Sequence, residues 1–302
     1  AAFFILLTVL IISAGVVQDI EKWSSRLMPS LFVLMGVLII YVLTQEGAME
    51  GLKHYLVPDF SQITNPKLIV SAMGQAFFSM SLGVGTMLVY GSYIRADENL
   101  PVVGALVTLT DTSVAFLAGL LVLPAIFVAQ NLGVTIYAES GNLIAGPDLI
   151  FQVLPALFDG MGAAGLLVGL AFFVLMSIAA VTSSISMLEV PVSYAVEAHQ
   201  VSRIKATWLV GLAIFAVSAT ICFNFESLFG FVITLTTERA QPLLSMMLCI
   251  FAGWIFYRNS ILEELKSGSP DVEQGLFWKI WPVYVKFFCP ALILMTFAQG
   301  FS

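Results

Sequence analysis

Eight apolar runs follow one another along this chain, at roughly 1–17, 24–45, 68–94, 101–130, 162–196, 204–223, 227–257 and 281–300. A helix needs about 20 predominantly apolar residues to cross the hydrocarbon core of a bilayer, and the runs meet or approach that length. Without water in the bilayer, every backbone amide and carbonyl must be satisfied internally, which leaves helices or a closed barrel. Nothing here shows the roughly ten-residue alternation of a membrane barrel strand, so the runs read as helices. Composition agrees: 59% of the 302 residues are hydrophobic and 10% are charged, where soluble domains carry about 25%. The expectation is an all-α polytopic membrane helix bundle, a single transmembrane domain over 1–302.

The chain opens inside an apolar run, without Met and without the charged start and cleavage site of a signal peptide. It is therefore expected to continue a longer polypeptide. Basic residues set its orientation. One set of alternate loops carries Lys22 and Arg26, then Arg95, then Arg203 and Lys205, then Arg258, Lys266, Lys279 and Lys286; the opposite set carries only Lys53 and Lys67. The first set belongs in the cytoplasm. That places the polar stretch Glu263–Gly275, within a linker at 258–280, inside. It places two long loops, Thr44–Lys67 and Asn131–Gly160, outside. The second of these contains an apolar, amphipathic segment from Pro147 to Phe158. Long connections are functional or disordered, and the apolarity favours packing into a cavity as an extracellular lid, 131–160.

The net charge of −7 comes with no basic patch, so nucleic acid is not an expected partner. Cys222, Cys249 and Cys289 lie far apart in apolar segments, without metal or redox spacing, and read as structural thiols. An intramembrane hydrolase would need a nucleophile and base or a metal motif. The two histidines, His54 and His199, lie in or beside loops. No enzymatic activity and no catalytic residue are expected.

Three polar interruptions carry the chemistry. The run from Ser71 to Tyr93 has Ser79, Ser81, Gly83 and Gly85 at its centre. Glycine costs about 1 kcal/mol against alanine in a helix, and freed backbone groups in a membrane need partners. The pattern suits a helix broken at mid-membrane, whose carbonyls and hydroxyls offer oxygens to a hard cation. A small-residue packing face between helices is the alternative. The second interruption, Ala179 to Met187, places four hydroxyls within five residues. The Ala179 carbonyl can join Thr182 and Ser183 around one ion, or the hydroxyls serve interhelical hydrogen bonds. The third is Asp111, a carboxylate within a span that either caps its helix or marks a functional site. Glu189 also lies within a span, before Val190-Pro191, and Glu238 with Arg239 reads as a self-compensating pair.

These interruptions in these contexts resemble the neurotransmitter:sodium symporter family, of the bacterial leucine-transporter type. The resemblance is carried by Gly74-Gln-Ala-Phe-Phe-Ser-Met-Ser-Leu-Gly-Val-Gly85, Tyr90-Gly-Ser-Tyr93, Asp111-Thr112 with Ala118-Gly119, Gly146 to Pro155, and Thr182-Ser-Ser-Ile185. Glu21-Lys22, Leu27-Met-Pro29 and Pro58-Asp-Phe-Ser61 also look familial. It implies part of a five-plus-five inverted-repeat transporter fold, with the spans as family helices 4 to 11 and the broken one as the sixth. The family's first three helices are not among them.

By the same resemblance, Phe78, Ser79, Ser81 and Val84 line a substrate pocket with Ser184 and Met187 opposite. Ser79 and Asp111 belong to one sodium site; the Ala179 carbonyl, Thr182 and Ser183 form another. Gln75 and Asp111 mark the chloride region, where a fixed carboxylate replaces the anion. Tyr93, Glu189 and Glu197 match a cytoplasmic gate, Glu197 being left without its basic partner. Ile233 stands where the family usually holds an acidic gate residue. The implied function is sodium-coupled symport of a small amino-acid-like substrate, chloride-independent, in the plasma membrane of a bacterium. Sodium ions would be the sole cofactor, and the resemblance leaves room for a homodimer. The alternative is a truncated, non-transporting relative that binds or scaffolds.

Overall fold

A computed structural model describes residues 2–14, 17–137, 149–256 and 258–299, which fold into helices, turns and irregular connections with no strand among them. The chain divides into two compact units. One comprises Ala1–Ala14, Ser61–Asp111 and Ile185–Ser302; the other comprises Gly15–Phe60 and Thr112–Ser184.

The second unit is built from α2 (Val17–Leu43), α3 (Ala48–Leu56), the C-terminal part of α6 (Leu100–Asn131), α7 (Leu154–Gly160) and the first part of α8 (Ala163–His199). Met35, Leu38, Ile39 and Val42 repeat at helical spacing along α2 and are buried against Leu121 and the run Ala125–Ala129 of α6. Between α2 and α3 the axis turns by 115°. The Asn131 amide donates to the Glu46 carbonyl at 2.9 Å and secures that corner.

Within the expected lid, Leu149–Gly160 is a π-helical turn leading into α7. Its residues Val153, Leu154, Leu157 and Phe158 are buried in this unit's core. The Phe158 ring meets Phe172 and Phe173 of α8 at 5.7 and 6.2 Å. The close approach depends on Gly165, where a Cβ would stand 1.7 Å from the Phe158 carbonyl oxygen. In lipid, contacts of this kind do much of the work of association, because apolar side chains gain little by leaving hydrocarbon. Gly146 and Pro147 fall among residues 138–148, outside the described residues.

The first unit contains α1 (Ala2–Ser13), α4 (Pro66–Ser79), α5 (Thr86–Ser92), the start of α6 and the end of α8. It continues with α9 (Arg203–Phe223), α10 (Phe225–Ile233), α11 (Gln241–Ile250), α12 (Arg258–Gly268), α13 (Leu276–Val283) and α14 (Cys289–Gln299). π-helical turns join α10 to α11 over Thr234–Ala240 and α13 to α14 over Tyr284–Phe288. These turns, like Leu149–Val153, each end two residues before a proline: Pro242, Pro290 and Pro155. Proline donates no amide and crowds the carbonyl four residues back, so the preceding turn widens.

Among the described residues, four helical stretches are each long and apolar enough to cross a membrane: α6, α8, α9 and Leu276–Met295. Two more qualify as bent pairs, Met28–Leu43 with α3 and Ser227–Ile255 with α12. The first expected span is a 12-residue apolar helix, α1, in the described residues, and the third is the broken pair α4 and α5. The polar stretch at 258–280 is also more than a connector. Leu265, Val272 and Trp278 bury together with Leu100, Ile261, Leu262 and Trp281 into a small core. Lys266 pairs with Glu273, and the Arg258 guanidinium lies 5.3 Å from the Trp278 ring centre. The apolar positions 261, 262 and 265 share one face of α12, a pattern its charged residues obscure in sequence.

Candidate functional site

The break between α4 and α5 is made by backbone geometry that can be followed residue by residue. The Leu82 amide donates to the Phe77 carbonyl at 2.9 Å and the Ser81 amide to the Phe78 carbonyl at 3.1 Å. With Ser81 at φ 51°, this is the paired arrangement that commonly ends a helix on a left-handed residue. The left-handed residue is usually glycine; serine there costs about 1–2 kcal/mol. Sequence reasoning assigned the break to Gly83 and Gly85, which do follow at φ 78° and 85°. It missed that the turn begins at Ser81. Gly83 is required twice, since a Cβ there would also lie 2.3 Å from the Gln241 carbonyl oxygen on α11.

Where α4 ends, the Ser79 hydroxyl lies 2.8 and 2.9 Å from the two carboxylate oxygens of Asp111. Asp111 sits three turns into α6 and is half-buried. A helix-capping role, one of the two sequence readings, does not fit that position. Asp111 is instead the partner of the last helical residue before the break. A carboxylate, a hydroxyl and nearby unwound backbone form an oxygen-rich donor set of the type hard monovalent and divalent cations prefer. Of the expected substrate residues, Phe78, Val84 and Met187 are exposed and Ser81 is half-buried. Gln75 stands one turn before Ser79 on α4, exposed.

In the other unit, the Thr182 hydroxyl donates to the Ala179 carbonyl one turn earlier at 2.8 Å. Ser183 beside them is exposed, and the Ser184 hydroxyl donates to the Val181 carbonyl at 2.8 Å.

The expected gate residues Tyr93 and Glu189 meet, but the centre of their cluster is Glu189. Its side chain is only 6% exposed. The Tyr93 hydroxyl donates to it at 3.1 Å and the Ser193 hydroxyl at 3.0 Å. Arg203 Nη2 reaches both its oxygens at 2.8 and 2.6 Å. Such charge-assisted bonds are about twice as strong as neutral ones. Tyr90 adds a second link through Ser186 Oγ at 2.5 Å.

Sequence reasoning counted Arg203 only as a loop charge and did not find this pair. The available signal was the short turn after His199, with Gln200 at φ 55°, which returns the chain so that the first residue of α9 faces the end of α8. Glu197 is exposed in the last turn of α8, with its backbone carbonyl accepting the Gln200 amide at 3.1 Å. No ion pair to it occurs among the described residues. Ile233, at the position expected to be acidic, ends α10 with a 41% exposed side chain. The Glu238 side chain lies outside the described residues, and with it the expected pairing to Arg239.

Comparison with known proteins gives a consistent result. Residues 2–302 match the sodium:neurotransmitter symporter family. A sodium-dependent transporter of Bacillus subtilis, YhdH, is 33% identical over 97% of this chain and 64% of its own length. A sodium-dependent transporter of Haemophilus influenzae is 34% identical over 98% of this chain and 64% of its own. This chain thus spans just under two thirds of the length of those relatives. Among solved structures, MhsT in complex with L-phenylalanine superposes with a TM-score of 0.86 at 35% identity, covering 99% of this chain and 67% of MhsT. The all-helical transporter fold expected from the sequence is the fold found.

Proposed function

Because the chain belongs to the sodium:neurotransmitter symporter family, we propose that it contributes the ion- and substrate-binding elements of a sodium-coupled secondary active symporter for a small amino-acid-like substrate. The observation that carries this reading is the Ser79–Asp111 contact at the break between α4 and α5. A lipid-facing helix has no use for an unwound, hydroxyl-rich centre paired to a carboxylate. A cation has, since it takes carbonyl, hydroxyl and carboxylate oxygens in place of its hydration shell.

In this proposal Ser79 and Asp111 hold one sodium ion, and the Ala179 carbonyl with Thr182 and Ser183 holds a second. Phe78, Ser81, Val84, Ser184 and Met187 contact the substrate. Val84 and Met187 favour an apolar side chain, and the phenylalanine bound in MhsT supports the amino-acid class. Asp111 provides beside the sodium the negative charge that chloride would otherwise supply, which Gln75 neighbours. Tyr93, Glu189 and Arg203 close the cytoplasmic side. The spans correspond to family helices 4 to 11, with 131–160 as an extracellular lid and 258–280 in the cytoplasm of a plasma-membrane protein.

The deciding experiment is uptake by cells expressing the full-length protein, with an amino-acid panel and with choline replacing sodium. Uptake of apolar amino acids that collapses in choline is expected. Equal uptake in both media would overturn the reading.

A further inference from the structure

In sequence, Lys286 counts among the cytoplasmic loop charges, yet folding places it inside a helical stretch. It lies ten residues, or about 15 Å of rise, into Leu276–Met295, a 20-residue stretch apolar enough to cross a membrane. Its backbone packs on the π-helical turn Phe251–Ile255 that follows α11, where a Cβ on Gly253 would stand 3.0 Å from the Lys286 Cα. The Trp254 indole N–H donates to the Lys286 carbonyl at 3.2 Å. The Lys286 ammonium lies 4.1 Å from the Trp254 ring centre and 5.8 Å from that of Phe287.

This arrangement solvates the ammonium without neutralising it. A ring face attracts a cation through its quadrupole but carries no net charge, and no carboxylate pairs with Lys286 among the described residues. A lysine inside a span is costly unless its stem carries the charge toward the membrane surface or an anion meets it. Here the ammonium is drawn to Trp254, four residues before Arg258 opens α12 and the polar stretch 258–280. The charge is thereby delivered to that side of the bilayer. Trp254, Tyr284 and Phe287 are exposed, and tryptophan and tyrosine favour the depth of the lipid headgroups. Lys279, exposed on α13, adds positive charge at the same edge.

We propose that Lys286, held on Trp254, binds the phosphate of an anionic phospholipid headgroup in the leaflet beside 258–280. An ammonium has three N–H donors, and the ring face leaves donors for phosphate oxygens in bonds of the charge-assisted kind. The acyl chains of such a lipid run along the exposed Tyr284 and Phe287. One lipid so held adds a link between the helical stretches that carry Trp254 and Lys286. The inference rests on the membrane topology given above and is separate from the sodium and substrate residues.

The test uses the full-length protein in nanodiscs of dioleoylphosphatidylcholine, with and without dioleoylphosphatidylglycerol. Native mass spectrometry after release into detergent gives the ratio of phosphatidylglycerol to phosphatidylcholine retained, and the unfolding temperature reports binding to the folded state. The wild type is expected to retain phosphatidylglycerol in preference and to rise in Tm with it. Lys286→Gln should lower the retained ratio about 5-fold, the scale of one lysine at an anionic surface, and lose the Tm rise, while Lys286→Arg keeps both. Lys286→Met replaces Lys286→Gln should the latter misfold. Lys266→Gln removes a charge already paired with Glu273 and should match the wild type. Inorganic phosphate added to phosphatidylcholine discs should leave Tm unchanged. Equal retention in wild type and Lys286→Gln, an equal loss in Lys266→Gln, or a Tm rise with phosphate alone would each overturn the proposal. Neither readout involves uptake, so failure here is distinct from failure of the sodium-symport reading.

Discussion

Asp111 and Glu189 are both carboxylates within apolar helices, and their partners separate their roles. Asp111 is bonded to a neutral hydroxyl, so its charge is left to be balanced by something else. Glu189 is already balanced by Arg203. Removing the Ser79 hydroxyl should therefore act on ion binding and spare the fold. Ser79→Ala is expected to raise the sodium concentration for half-maximal uptake about 10-fold, the scale of one hydrogen bond to a charged group. An unchanged sodium activation curve would refute that role.

Arg203→Ala should instead destabilise, because it leaves a buried carboxylate uncompensated. The loss is expected to be about 3 kcal/mol, the lower end for breaking a buried pair, since the Arg203 side chain is itself 40% exposed. Adding Glu189→Gln should recover much of it, and the double-mutant cycle, read by unfolding in detergent, measures the coupling directly. The two carboxylates looked alike in sequence. Hydrogen-bond partners distinguish them, and partners 32 and 14 residues away depend on how the helices return.

At the scale of elements, the break between α4 and α5 depends on Ser81 and Gly83 in opposite ways. Ser81 pays for a left-handed backbone that glycine would adopt freely, so Ser81→Gly should raise stability by about 0.5–1 kcal/mol after the added flexibility of the unfolded chain is counted. Gly83→Ala meets both a left-handed φ and the Gln241 carbonyl, and should cost about 2–3 kcal/mol. Paired unfolding curves in detergent check the signs; equal shifts in one direction would contradict this account. Two glycines preceded by two serines made the interruption legible in sequence. Its starting residue was not legible, because a helix end is set by which carbonyls capture the next two amides. The apolar face of α12 escaped notice for a related reason. Its spacing is helical, but a polar stretch that length also suits a plain connector, and the partners Trp278 and Leu100 lie on other elements.

For the whole molecule, the fixed charge of Asp111 predicts ion dependence. Transport by the full-length protein should persist when gluconate replaces chloride and fall steeply when choline replaces sodium. Loss of uptake in gluconate would disprove the substitution of chloride by Asp111. The helical membrane class, the place of the broken helix and the family were all readable from the sequence. The reasons are local: span length, apolarity and the cost of glycine or a carboxylate in a bilayer act on residues near one another in the chain. The resemblance puts Ser79 and Asp111 in one sodium site, and in the fold the two side chains are hydrogen-bonded. The Arg203–Glu189 pair was not foreseen. It joins side chains whose separation is set by helix packing and by the turn between the helices, and that information exists only once the chain has folded.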